Sequence, residues 1–160
     1  MVTFSLTHWI RFVCVLLIAS APLLCAGQTQ VTGIFLPVKC GRHVPTQVLA
    51  LNAKTVCLAK NPIVAEMGFE SVTELLFFND RAYFDVTLTQ AAFGVLSKLQ
   101  QSFPYTDLVM VVDGEPFMIF SMTDRRINRI IRFQGHTQDT PVFNRIHRQL
   151  KRVVAEKDRL

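Results

Sequence analysis

The clearest pattern along the chain is the alternation at residues 84–89, where Phe84, Val86 and Leu88 point one way while Asp85, Thr87 and Thr89 point the other. A period of two marks a β-strand with one face buried and the other in water. A first arm at 69–78 precedes it, and Asn79-Asp80-Arg81 supplies a tight reversal before the second arm at 82–88, which predicts a hairpin. Ala92, Val95, Leu96, Leu99 and Phe103 then recur at helical spacing; Thr89 stands where a side-chain cap belongs, and Pro104 stops the run. Residues 108–112 are apolar at both parities, which predicts a strand covered on both faces, and Asp113-Gly114 turns it into a partner at 117–120. A further strand is expected at 129–134. A second helix follows from Thr140 or Pro141 to Ala155, with Val142, Ile146, Leu150, Val153 and Val154 on one side. Upstream, residues 55–58 read as a short strand, while Gly33, Pro37, Gly41 and Pro45 break residues 27–53 into a loosely structured lead-in. The order predicts an α+β fold, an antiparallel sheet of about five to six strands with two helices packed on one face.

The N-terminus falls outside this pattern. Arg11 is the only formally charged residue among the first eleven, residues 12–24 are almost unbroken apolar, and Cys25-Ala26-Gly27 supplies small residues after them. An apolar run of that length is shorter than the roughly 20 residues that span a bilayer, so residues 1–26 read as a cleaved signal peptide. The expected location is periplasmic or secreted, with anchoring in the inner membrane by an uncleaved segment as the alternative. Lipidation at Cys25 is disfavoured by the bulky Leu24 before it. Cys14 and Cys25 lie in the signal segment, which leaves Cys40 and Cys57 in an oxidising compartment; a structural disulfide between them is expected.

Composition narrows the class further. With 160 residues, 50% of them hydrophobic, thirteen Phe and only seven Gly and seven Pro, the chain can build one core, at 54–156, and is neither low-complexity nor a repeat array. Its charge is uneven. Residues 125–160 carry ten Lys/Arg against three Asp/Glu, a net +7, whereas residues 28–124 carry six against nine, a net −3. Arg125, Arg126, Arg129 and Arg132, with Arg145, Arg148, Lys151 and Arg152, form a candidate binding face for an anionic membrane surface or a protein; the alternative is a solvated face whose Arg stems cover apolar surface. Nucleic acid is not an expected partner, because export argues against it and the Phe residues sit at core parity rather than on a stacking platform.

Candidate chemistry is sparse. His43, His136 and His147 are scattered without metal-ligand spacing, Asp80 and Asp85 sit on or beside a solvated strand face with no base or nucleophile at a telling interval, and Ser and Thr show no triad pattern. No catalytic residue, metal or cofactor is expected.

One resemblance emerges. The segments Phe84-Asp-Val-Thr-Leu-Thr-Gln-Ala-Ala-Phe93, Leu108-Val-Met-Val-Val-Asp-Gly114, Ile127, Phe133-Gln-Gly135 and the closing helix, with Val56-Cys-Leu-Ala-Lys-Asn-Pro62 ahead of them, resemble the head subdomain of the first periplasmic region of the SecD and SecF protein-export family. The likeness covers residues 54–150. It departs from the family in lacking the glycine before the last strand, in carrying His-Thr-Gln-Asp-Thr-Pro at 136–141 where an acidic run is usual, and in having no membrane channel half. The resemblance implies an α+β domain that contacts emerging polypeptide, with Asp113, Gly114 and Gly135 as its motif residues. A head without transmembrane helices cannot couple binding to a proton gradient. Read from the residues alone, Asp113-Gly114 is a tight turn and Gly135 a flexible lead into the last helix.

The expectation is a non-enzymatic exported module that binds protein or extended polypeptide, and an exposed strand edge able to pair would favour it. The alternatives are a small secreted hydrolase of nuclease type, favoured by a His, carboxylate and Arg converging in a cleft, and an enzyme inhibitor with a protruding loop in residues 28–52.

Overall fold

The computed structural model describes residues 31–42, 44, 46–123, 128–157 and 159. The expected signal peptide, with Cys14 and Cys25, lies outside the described residues, as do His43, Arg125, Arg126 and Ile127. The strands are β1 (Gly33–Phe35), β2 (Thr46–Val48), β3 (Thr55–Cys57), β4 (Val64–Ala65), β5 (Phe69–Val72), β6 (Leu76–Phe78), β7 (Arg81–Leu88), β8 (Asp107–Val112), β9 (Glu115–Ser121) and β10 (Ile130–His136). Helix α1 (Gln90–Ser102) joins β7 to β8, and α2 (Thr140–Lys157) closes the chain.

The fold is α+β with antiparallel pairing throughout, as the periodicities predict. The strands divide, however, between two four-stranded sheets and a ribbon rather than forming one sheet. One sheet has the order β4-β1-β8-β9; in the other, β7 pairs β10 on one side and β5 and then β6 on the other; β2 and β3 form the ribbon. Periodicity identifies a strand but not its neighbour, and β8 pairs with β1 and β9 instead of joining β7.

Each sheet owes its layering to the pattern of its central strand. In β7, Ala82, Phe84, Val86 and Leu88 are buried while Tyr83, Asp85 and Thr87 face outward. In β8 both parities are buried. Leu108, Met110 and Val112 join the main core with Phe84, Phe117, Phe133, Leu96 and Ile146, while Val109 and Val111 join a second cluster with Phe35, Leu49 and Val56 beneath the ribbon. A strand with apolar residues on both sides needs two coverings, and the ribbon is the second. The Cys40–Cys57 disulfide, with Cα atoms 5.3 Å apart, ties that covering to the segment that follows β1. Such a bond fits a chain matured outside the reducing cytosol.

The lead-in is therefore more ordered than its Gly and Pro content suggests. Gly33–Phe35 is wholly buried between β4 and β8, but three residues are too few to display a period. Both hairpin turns hold left-handed backbone at two successive residues, Asn79 and Asp80 before β7, and Asp113 and Gly114 before β9. Two-residue loops need that geometry, and Asn, Asp and Gly adopt it most readily. Thr89 caps α1, its hydroxyl accepting from the Ala92 N–H at 3.3 Å. Of the expected α1 stripe, Val95 and Phe103 are exposed and Ala92 and Leu96 are buried. On α2 the buried face is Phe143, Ile146, His147, Leu150 and Val154, turned toward Phe143 from the expected Val142 stripe.

Gly135 is not a flexible lead into α2. It lies within β10, opposite Ala82, and a Cβ there would come within 2.4 Å of the Phe143 ring. The missing side chain lets Phe143 reach Phe84 and Phe117, with ring centroids 5.9 and 5.1 Å away in edge-on geometry. No helix among the described residues is long and apolar enough to cross a membrane.

Candidate functional site

The structure places the predicted basic residues against carboxylates from earlier in the chain. On β10, Arg132 sits opposite Asp85 of β7 and grips it with two parallel bonds, Nε to Oδ1 at 2.7 Å and Nη2 to Oδ2 at 2.8 Å, while lying over the Tyr83 ring. Those bonds raise the Arg132 pKa above its ordinary value. Arg129 pairs with Glu70 and also donates to the Leu88 carbonyl. On α2, Arg145 pairs with Glu115, which raises its pKa; Arg152 reaches Asp113 at 2.6 Å, and Lys151 pairs with Glu74. Hydrogen bonding and the charge of Lys151 hold the Glu74 carboxyl below the usual carboxylate value. Arg148 alone of the six described residues has no carboxylate, its Nε donating to the Asn144 carbonyl of its own helix.

These residues do not form one continuous face. Arg129 and Arg132 lie on the outside of the β10-β7-β5 sheet, Arg145 and Arg152 reach the β8–β9 turn region, and Lys151 reaches the segment after β5. The charge asymmetry between the two halves of the sequence is in large part the record of pairing between them. Asp113 has two roles, since its left-handed backbone makes the turn and its carboxylate holds Arg152.

The two described histidines, His136 and His147, do not converge. His147 is buried, its Nε2 donating to the Thr73 carbonyl at 2.7 Å and its ring 5.3 Å from that of Phe84. His136 lines a shallow depression with Asp80, Thr137 and Gln138, with Arg81 opposite it on β7, and His147 is not part of it. Asp85 is committed to Arg132, and no group of three or more His, Cys, Asp or Glu among the described residues is placed to hold a metal.

The feature that sequence reading missed is β6. Leu76, Phe77 and Phe78 are 48, 54 and 66% exposed, three consecutive large apolar residues on a strand that pairs only with β7. Phe78 and Arg81 close a two-residue hairpin and pair in register, so antiparallel alternation turns the Phe77 N–H and C=O away from β7. The other outer strands of the two four-stranded sheets carry protection. β4 is two residues long, β9 contains Pro116, β10 is studded with Arg132 and His136, and β5 is overlaid by α2, whose His147 and Lys157 take the carbonyls of Thr73 and Phe69. β6 has no charge and no proline, and among the described residues no element lies along its outer edge. The signal was present in the hydrophobicity of residues 75–78, but an apolar run reads as core until its neighbours are known.

No family model, no curated protein and no solved structure matches the chain.

Proposed function

We propose that this chain is a non-enzymatic binding module, exported to the periplasm or secreted, that takes an extended polypeptide by strand addition at β6. The exposed Leu76-Phe77-Phe78 edge carries this reading. An incoming strand would bond to the outward Phe77 backbone and place apolar side chains against Leu76 and Phe78. The edge is held ready: Thr137 N–H donates to the Asp80 carbonyl at 2.9 Å, which fixes the hairpin tip to the turn between β10 and α2. Polypeptide bound this way need not be folded, and main-chain bonding makes recognition tolerant of sequence. Those are the demands on a component that meets chains emerging from an export channel, the context that the SecD/SecF head resemblance supplies. Scattered histidines and a committed Asp85 give no support to hydrolysis.

The test is binding of a fluorescently labelled, fully alkylated unfolded polypeptide, followed by anisotropy. Phe77→Pro removes the outward N–H without touching the bonds to β7, and Phe77→Lys puts a charge on the edge. Each should weaken binding by about tenfold or more, equivalent to ~1.4 kcal/mol. Wild-type affinity in both variants, or equal affinity for a folded control protein, would overturn the reading.

A further inference from the structure

Beside the paired C-terminal cations, another basic region has no ion pair among the described residues. Residues 31–65 contain Lys39, Arg42, Lys54 and Lys60 and not one Asp or Glu, whereas residues 66–124 contain Arg81 and Lys98 against nine Asp/Glu. The acidic middle of the chain supplies every carboxylate found paired to β10 and α2. None of the four early cations forms an ion pair among the described residues, and all four are exposed.

They also share one layer. Val38 N–H donates to the Cys57 carbonyl and Ala59 N–H to the Leu36 carbonyl, so the segment after β1 runs beside β3, with β2 on the other side of β3. Lys54 and Lys60 stand at opposite ends of β3, Lys39 follows the segment paired with it, and Arg42 lies in the turn at Gly41 just beyond the disulfide. Two exposed apolar residues lie among them, Val38 and Val48, 39 and 58% accessible. Of the carboxylates on the sheet beneath, Asp113 and Glu115 are held by Arg152 and Arg145, and Asp107 stands at the start of β8 without an ion pair among the described residues.

We infer that this ribbon layer docks on an anionic lipid surface. Cations interleaved with exposed aliphatic side chains, with no carboxylate in the layer itself, suit the boundary of a negatively charged bilayer, where Lys and Arg meet headgroups and small apolar groups enter the interface. The chain that leads into this layer points the same way. In the anchored alternative, in which residues 1–26 are retained, the apolar run at residues 12–24 is separated from β1 at Gly33 by only eight residues, which keeps the layer within reach of the bilayer. Docking through the ribbon uses neither β6 nor its partner strand β7, so it stands independently of the proposed polypeptide site.

The experiment is co-sedimentation of the full chain with vesicles of phosphatidylcholine alone and of phosphatidylcholine with about a third phosphatidylglycerol, at low and high salt. Insertion of the apolar N-terminus would register equally on both vesicles and resist salt. The ribbon contribution is the excess on the anionic vesicles that salt abolishes. Lys54→Gln/Lys60→Gln should cut that excess by about twentyfold, near fivefold per charge, and Lys54→Glu/Lys60→Glu should remove it. Arg145→Gln/Arg148→Gln, which takes the same charge from α2, should leave most of it in place. Circular dichroism on each variant secures the comparison, because Lys54 and Lys60 contribute no side chain to either core. The inference falls if there is no anionic excess, if the two pairs of substitutions act equally, or if soluble polyphosphate at matched charge competes better than vesicles do.

Discussion

Two basic layers flank the sheets, and they are built in opposite ways. Helix α2 covers the main core with Phe143, Ile146, Leu150 and Val154 and spends its cations on Glu115, Asp113 and Glu74. The ribbon covers the back of β8 with Leu49 and Val56, is fastened by a disulfide, and leaves Lys39, Arg42, Lys54 and Lys60 without acidic partners among the described residues. Positive charge thus has two fates. Where a layer can bury a large aromatic cluster, its charges become internal ties. Where the covered area is small, a covalent bond supplies the fastening and the charges remain available for something outside the molecule.

The sharpest break of the comparison is at Phe143, on the side held by packing. Its ring is fully buried against Phe84 and Phe117 and fills the space over Gly135. Phe143→Ala should lower stability by about 3–5 kcal/mol, measured as the shift in urea midpoint at unchanged slope. The loss should be the same with and without reductant. A loss below 1 kcal/mol would mean that α2 is not fastened by this cluster.

The second break is at the ribbon's bond. Cys40 and Cys57 are 17 positions apart, and a loop of that order contributes about 3 kcal/mol in the chain-entropy account. Cys40→Ser should cost about that much in oxidising buffer and nothing further when wild type and variant are both reduced. Hydrogen exchange should quicken at Thr55, Val56 and Cys57 while the amides of α2 keep their protection relative to the global unfolding rate. Equal stability of the two proteins in oxidising buffer would remove the covalent half of the comparison.

Much of this architecture was legible in the residues, and the parts that were not have a common cause. Alternation in β7, the double-sided apolarity of β8, the Asp113-Gly114 turn and the Thr89 cap are local facts, decided by a residue and its near neighbours in sequence. Which strand lies beside which is not local. The apolar residues of β6 look like core until β7 is found paired with β5 along one half of its edge and with β6 along the other, only the first half covered by α2. Charge behaved the same way. Counting residues 28–124 as one acidic block averaged a carboxylate-free ribbon with an acidic middle, and so pointed to the C-terminal cations, which fold onto that acidic middle. The sequence does not single out Phe143, because a stripe through Val142 fits the helical period nearly as well, and only the gap above Gly135 decides between them.

The smallest effect distinguishes the two kinds of charge most directly. Glu74 is bonded to Lys151, and that contact holds its carboxyl below the ordinary value of 4.5. A carboxylate whose pKa is depressed by folding stabilises the fold above its unfolded-state value, and the contribution disappears as pH falls through the lower, folded value. Glu74→Gln should therefore be slightly less stable than wild type at neutral pH, with the gap closing as the solution is acidified below about 4.5 and shrinking with added salt. Lys54→Gln in the ribbon removes a cation that has no carboxylate partner among the described residues, so any stability difference there should stay flat over the same acid range. Denaturation at a series of pH values for the three proteins reads both slopes at once. A ribbon variant that also converges with wild type in acid would show that Lys54 has an acidic partner after all, and the contrast between the layers would then be one of strength rather than of kind.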